Sequence, residues 1–162
     1  MTIRIKDNFL DPESFKNLQE VVFSTSFPWY LREGVSGVGE DSYNMMFSHV
    51  FYKDNMPTQY YLGLIVPILN NFDCDIKSLI RVKGNLYPKT DVLYEHNDHV
   101  DLDFPNNGAI LYLNTNNGFT VIGGEKVQSI SNRMIYFDPE VPHHSTTCTD
   151  KLVRANINFN FF

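Results

Sequence analysis

The chain lacks the features that mark several protein classes. Its 162 residues hold only two cysteines, Cys74 and Cys148, too few for the disulfide framework that staples small secreted domains. No apolar run is long enough to span a bilayer, and residues 1–10 lack the hydrophobic stretch of a secretory leader. Cations are scarce as well. Thirteen Lys and Arg stand against 19 Asp and Glu, a formal net charge of −6, the wrong sign for a general nucleic-acid binder. Lys77, Arg81 and Lys83 make a local basic patch against that background. Low-complexity tracts, internal repeats and linker-like stretches are absent. The expectation is a cytoplasmic protein of a reducing compartment, with neither a membrane nor nucleic acid as a general partner.

What is present fits one folded unit. A hydrophobic fraction of 43% and an aromatic fraction of 14% suffice for a core. A single domain over 1–162 is expected, with a helical support region at 1–77 and a β-barrel core at 78–162. Asp11 suits an N-cap, Pro12 the first helical position, and Phe15, Leu18 and Val22 recur at helical spacing, so residues 12–23 read as an amphipathic helix. A second helix is expected from Pro57 through Leu64, Ile65, Ile68 and Leu69, bent at Pro67. Between them, 24–39 reads as a loop anchored by Phe27, Trp29 and Tyr30, and 43–52 as an extended segment. From residue 78 the pattern turns to short strands, at 79–87, 92–96, 99–101, 109–114, 119–122, 126–130, 134–137 and 152–161, divided by Asn, Gly and Pro turn signals. The fold class is α+β, a small sandwich or rolled barrel with helices packed on its outside.

The last segment is unusually legible. Val153, Ala155, Ile157, Phe159 and Phe161 alternate with Arg154, Asn156, Asn158 and Asn160, so the apolar and polar rows take opposite faces of a strand. The polar row either lines an interior that holds a polar ligand or is the solvated face of an edge strand.

The residues with most chemistry are His99-Val100-Asp101 and, some forty positions later, Pro142-His143-His144. Two imidazoles and a carboxylate are the set that holds a non-haem ferrous ion while leaving coordination positions open. In a strand, positions i and i+2 share a face, so His99 and Asp101 can reach one ion. His96-Asn97-Asp98 has the same spacing but sits in a polar, turn-like run, whereas Val100 is suited to a packed opposite face. His99 and Asp101 are therefore preferred, with His96 a surface or supporting residue. His143 is preferred to His144 as the third ligand, although the spacing allows either. Arg154 offers the planar fork that grips a carboxylate bidentately, and its partner is either an internal acid or a dicarboxylic cosubstrate.

Taken together, Tyr87-Pro88, His99-Val100-Asp101, Ile110-Leu111-Tyr112-Leu113-Asn114, Asn117-Gly118-Phe119-Thr120, Asn132-Arg133-Met134-Ile135-Tyr136-Phe137, Pro142-His143 and Arg154 resemble the iron(II)- and 2-oxoglutarate-dependent dioxygenases. The likeness is to the prolyl 4-hydroxylase-like branch and to small oxygenases of marine bacteriophages. Asn8-Phe9-Leu10-Asp11 and Phe27-Pro28-Trp29 carry it to the N-terminus. The turn that usually reads Gly-Gly-Glu-Thr departs from the pattern, because Gly-Gly-Glu stands at 123–125.

The resemblance implies a double-stranded β-helix (jelly-roll, cupin-like) with N-terminal helices outside the barrel. It implies Fe(II) on His99, Asp101 and His143, and 2-oxoglutarate with its distal carboxylate on Arg154, lined by Tyr87 and Tyr112 and assisted by Asn158. It implies O2 as cosubstrate, ascorbate as a reductant, and hydroxylation of a substrate C–H bond with release of succinate and CO2. The substrate would be a protein or peptide, a peptidyl proline first, or a small molecule. Loops at 30–41 and 101–107 would select it, in the host cytoplasm if the protein is phage-encoded. The alternatives are a cupin-like metal protein without 2-oxoglutarate chemistry and a non-catalytic structural or binding protein of the same fold. Oligomeric state has no signature in the sequence.

Overall fold

The computed structural model describes residues 3–35 and 45–162; residues 36–39 of the expected loop, 36–41 of the expected selecting loop and 43–44 of the expected extended segment lie outside them. In chain order the elements are β1 (Arg4–Lys6), α1 (Pro12–Val22), β2 (Tyr30–Arg32), β3 (Met46–Lys53), β4 (Met56–Pro57), a π-helical turn (Tyr61–Ile65) running into α2 (Val66–Leu69), β5 (Leu79–Pro88), β6 (Asn107–Tyr112), β7 (Phe119–Ile122), β8 (Glu125–Gln128), β9 (Met134–Phe137), β10 (His143–Ser145) and β11 (Val153–Phe161). None of the helices is long and apolar enough to cross a membrane, among the described residues.

Helix α1 begins where its cap dictates. The Asp11 carboxylate accepts from the N–H groups of Glu13 at 3.1 Å and Ser14 at 3.0 Å, filling donors that the first turn leaves free. The second helix departs from expectation. Pro57 lies in β4, paired with Tyr52 of β3, and the helix starts only at Tyr61. Its first turn is π-helical, with the Val66 N–H reaching back to the Tyr61 carbonyl. Pro67 has no N–H to continue an α-ladder, and α2 is four residues long.

Two antiparallel sheets form a jelly roll. The larger has the order β1-β9-β6-β11-β5-β3-β2, with β4 added to β3, and the smaller has the order β10-β7-β8. The first half of the chain thus supplies four strands besides its helices. Two expected strands shrink. Residues 92–96 and 99–101 contribute only the bridges Glu95↔Thr146 and His99↔His143, which continue the smaller sheet. The reason is local. Asp91, Asn97, Asp98, Asp101 and Asp103 crowd this stretch, and such side chains bond to nearby backbone in place of a ladder.

Strand β11 settles the question of its polar row. It is a central strand, paired with β5 on one side and β6 on the other, so it is not an edge. Its apolar residues Ala155, Ile157, Phe159 and Phe161 share one core cluster with Phe15, Leu18 and Val22 of α1 and with Leu64, Ile65 and Ile68. The opposite row, Arg154, Asn156, Asn158 and Asn160, is buried too. It faces the space between the sheets, beside a second apolar cluster built from Ile110, Tyr112, Ile122, Val127, Ile135 and Phe137. Four buried polar side chains in a row are costly unless their groups are satisfied. That requirement sets the chemistry of the interior.

Candidate functional site

His99 and His143 face one another across a cross-strand pair in which each backbone N–H donates to the other's carbonyl at 3.0 Å. The pairing brings their rings to a centroid distance of 4.6 Å. Asp101, two residues beyond His99, turns its carboxylate to the same place. One ligand atom from each of His99, Asp101 and His143 lies within 4.8 Å of the other two. The His143 Nδ1 lies 2.9 Å from the Val141 carbonyl, and the His99 Nδ1 lies 3.4 Å from that of Asn97. Since a carbonyl only accepts, the Nδ1 atoms carry the protons and both Nε2 atoms keep their lone pairs, the tautomer a metal ligand needs. Burial, and then the neighbouring His143, hold the His99 imidazole below the ordinary histidine range, which keeps it neutral and able to ligate.

Of the two adjacent histidines, His143 is the one that joins this triad. His144 points to the other side of β10, with Asp98 Oδ1 at 2.7 Å from Nδ1 and Glu95 Oε2 at 3.1 Å from Nε2. Both of its nitrogens are engaged. Asp98 is likewise occupied away from the site. The surface reading of His96 is corrected, because that ring is buried. Its Nδ1 lies 2.8 Å from the Ser145 carbonyl, its ring centroid lies 5.4 Å from that of Tyr87, and burial pushes it down to about 4.

Asp101 is held by residues whose link to it has no signal in the sequence. Arg81 Nη2 donates to Oδ1 at 2.8 Å, while Asn160 and Asn158 donate to Oδ2 at 3.0 and 3.2 Å. Burial alone would raise this carboxyl, but the Arg81 charge and the asparagine hydrogen bonds outweigh it and keep Asp101 below the usual carboxylate range. Asn158 therefore acts on Asp101. Arg81 and Asn160 arrive from positions 20 and 59 residues away in sequence, related to Asp101 only by the fold.

Below the triad lies Arg154, with no exposed surface. Its Nε donates to Ser129 Oγ at 2.8 Å and its Nη2 to Thr120 Oγ1 at 2.8 Å. Its Nη1 is buried without a hydrogen-bond partner, and no carboxylate pairs with it among the described residues. The rings of Tyr87 and Tyr112 flank it, with centroids 5.2 and 5.6 Å from Cζ. Tyr112 Oη also donates to Thr120 Oγ1, at 2.8 Å. Thr120 thus accepts twice and keeps its own proton for a third partner. Burial pushes the Tyr87 and Tyr112 phenols up, so both stay protonated donors. A buried guanidinium with a free N–H edge and only hydroxyl partners lacks an anion. The cavity lined by the triad is lined also by Tyr87 and Thr120, the ring and the hydroxyl that touch Arg154, which links the guanidinium to the triad. The residues present fit a ferrous ion and a dicarboxylate together.

No family model matches the sequence, and no curated protein matches it. Solved structures do match. A prolyl-4-hydroxylase from Pseudomonas putida superposes with a TM-score of 0.65 at 17% identity, over 98% of this chain and 91% of that one. The fold is that of the 2-oxoglutarate–Fe(II) oxygenases. A prolyl hydroxylase in complex with a hypoxia inducible factor oxygen degradation domain peptide fragment from Trichoplax adhaerens gives 0.63 at 14% identity, over 99% and 83% of the two chains. HygX from Streptomyces hygroscopicus with nickel and 2-oxoglutarate bound gives 0.64 at 10% identity, over 98% and 82%. At these identities the likeness is one of architecture. Within this oxygenase fold, the role of each residue rests on the chemistry of the cavity itself.

Proposed function

We propose that the protein is an Fe(II)- and 2-oxoglutarate-dependent dioxygenase that hydroxylates a substrate C–H bond, with O2 as cosubstrate and succinate and CO2 as products. The observation that carries this reading is the unpartnered Nη1 of buried Arg154, whose fork is bonded to Thr120 and flanked by Tyr87, two residues that line the cavity of the His99–Asp101–His143 triad. A cupin-like metal site without a cosubstrate would leave that guanidinium without an anion, at a desolvation cost of several kcal/mol.

The Nε2 atoms of His99 and His143 and the Asp101 carboxylate would hold the ion, and Arg154, Tyr87 and Thr120 would receive the distal carboxylate of 2-oxoglutarate. A ferrous ion bound there supplies the one-electron chemistry that couples oxidative decarboxylation of the cosubstrate to oxidation of the substrate. The residues of the chain orient and insulate. Arg81, Asn158 and Asn160 fix the Asp101 carboxylate and keep it ionised. The Val141 and Asn97 carbonyls fix the imidazole tautomers, and the Ser129 and Thr120 hydroxyls aim the Arg154 fork, with Tyr112 Oη donating to Thr120. Ascorbate would serve as an accessory reductant.

A peptidyl proline is the first substrate proposed, supported by the peptide held by the Trichoplax neighbour of the same fold. The free thiols Cys74 and Cys148 suit a reducing cytoplasm. The test is an anaerobic absorption titration with ferrous iron and 2-oxoglutarate. A weak visible charge-transfer band that needs both, and is lost in Asp101→Ala and in Arg154→Ala, is expected. A folded protein that binds iron but gives no band with 2-oxoglutarate would remove the cosubstrate from the reading.

A further inference from the structure

The cavity is more cationic than iron and 2-oxoglutarate require. Lys83 lies on the inner row of β5, in register with Asn158 of β11, and lines the same cavity as the triad. No hydrogen bond or ion pair engages its ammonium among the described residues. The nearest acid, Asp101, is committed to Arg81 at 2.8 Å and, in the proposed site, to the ion. Arg32 of β2 adds a second cation near Lys83. Its Nε donates to Ser48 Oγ at 3.0 Å, and no carboxylate pairs with it among the described residues.

Arg154 already answers the distal carboxylate of a cosubstrate, and a divalent ion would be balanced by Asp101 and the cosubstrate's other carboxylate. Among the described residues Lys83 therefore remains as uncompensated charge in the triad's cavity, with Arg32 behind it, in a protein whose net charge is −6. An unpaired cation lining a pocket raises the local concentration of anions and selects them. Beside Lys83, the buried Oδ1 atoms of Asn85 and Asn158 have no hydrogen-bond donor. These acceptors suit the N–H of an amide or amine carried by the same molecule.

We propose that the substrate bears a carboxylate close to the carbon that is oxidised, and that Lys83, with Arg32 behind it, binds this group. The proposal rests on the oxygenase reading and narrows its substrate class. A free N-acylated amino acid and a peptide with an acidic side chain next to the target residue are the two sources of that carboxylate.

The test uses the full chain loaded with nickel and 2-oxoglutarate, which binds without turning over. Three pairs of probes are titrated by calorimetry: N-acetyl-L-proline and its amide, N-acetyl-L-leucine and its amide, and Ala-Pro-Glu-Ala and Ala-Pro-Gln-Ala peptides blocked at both ends. At least one carboxylate is expected to bind ten times or more tighter than its neutral twin. The first two pairs against the third tell a free acid from a peptide. In Lys83→Met that preference should fall below twofold, while 2-oxoglutarate affinity measured without probe stays within threefold of the parent. No carboxylate preferred by the parent protein, or a preference that survives Lys83→Met, overturns the proposal. So does a Lys83→Met protein that has lost 2-oxoglutarate, which would assign the ammonium to the cosubstrate. If the parent protein itself fails to bind 2-oxoglutarate with nickel, the oxygenase reading falls first, and that control is read before any probe is added.

Discussion

Replacing Arg154 with methionine separates the two things a buried guanidinium can do. In the ligand-free protein its charge is out of water, which costs several kcal/mol. Against this stand hydrogen bonds to Ser129 and Thr120 at 2.8 Å each, worth roughly 1.5–3 kcal/mol apiece for a charged donor. The two sides nearly cancel, so ligand-free Arg154→Met should keep its stability to within about 1 kcal/mol. Cosubstrate binding has no such compensation. Losing a charged partner from a buried carboxylate costs about 2–5 kcal/mol, or roughly 30-fold to several-thousandfold in Kd. Thermal unfolding of the nickel-loaded protein reads both effects. At 2-oxoglutarate a hundred times above Kd the parent gains about 2.7 kcal/mol, which for a chain of this size is an upshift of roughly 5–10 °C. Arg154→Met, at the same ligand concentration, should gain about 0.9 kcal/mol or less, an upshift no more than about a third of the parent's. An undiminished upshift would refute the assignment of Arg154 to the cosubstrate. A ligand-free variant weakened by about 3 kcal/mol or more would show that the guanidinium serves the fold instead.

Further outcomes follow from the same geometry. Asp101→Ala should lose metal binding by calorimetry, whereas Asp98→Ala, which removes a partner of His144 on the far side of β10, should retain it. His143→Gln and His144→Gln should divide in the same way, and equal affinities in either pair would undo the ligand assignment. Acid should destabilise the metal-free protein early. Burial holds His49, His96 and His99 below the ordinary histidine range, so they stay neutral in the fold while the unfolded chain takes up protons below about pH 6.5. This contribution is complete above that pH and is lost as pH falls. For His96, held at about 4, the loss between pH 6.5 and 4 is roughly 3 kcal/mol at about 1.4 kcal/mol per unit. Urea unfolding at pH 7.5 and 4.5 should show a smaller drop for His96→Gln than for the parent, and parallel drops would refute it.

The parts of the fold that were legible in the sequence are those in which local pattern and tertiary role agree. The 119–122 and 134–137 strands and the α1 helix with its Asp11 cap fall where hydrophobic period and turn chemistry place them. Strand β10 had no such signal. His143-His144-Ser145 contains no apolar residue, and its strand conformation comes from pairing with β7. The His-x-Asp spacing and Arg154 stood out in the sequence because binding a metal or a carboxylate would constrain residue type strongly, and the fold brings His99 and Asp101 together with His143. Their neighbours did not, because Thr120 is an ordinary strand hydroxyl, Ser129 follows the end of β8, and Arg81 reads as one member of a basic patch. The fold alone turns Arg81 toward Asp101 and Lys83 toward the cavity.

Gly118 offers a last test, because here a backbone position bears directly on the proposed cosubstrate pocket. A Cβ at this residue would lie 2.5 Å from the Thr147 carbonyl oxygen, 2.6 Å from Arg154 Cδ and 2.9 Å from Asn116 Oδ1. The first neighbour is backbone and cannot swing aside, and the second is the stem of the guanidinium. Overpacking of this kind costs typically about 1–3 kcal/mol, and the two neighbours that can move are the arginine stem and the Asn116 amide. Gly118→Ala should therefore shift Arg154 off its Ser129 and Thr120 partners and weaken 2-oxoglutarate binding by tenfold or more. Gly63 is the control, since a Cβ there meets nothing within 4 Å. Gly63→Ala should leave 2-oxoglutarate affinity unchanged and be neutral or slightly stabilising, through the lower entropy of the unfolded chain. A folded Gly118→Ala protein with parental 2-oxoglutarate affinity would mean that the pocket tolerates a displaced arginine, and the fork geometry inferred for Arg154 would have to be abandoned.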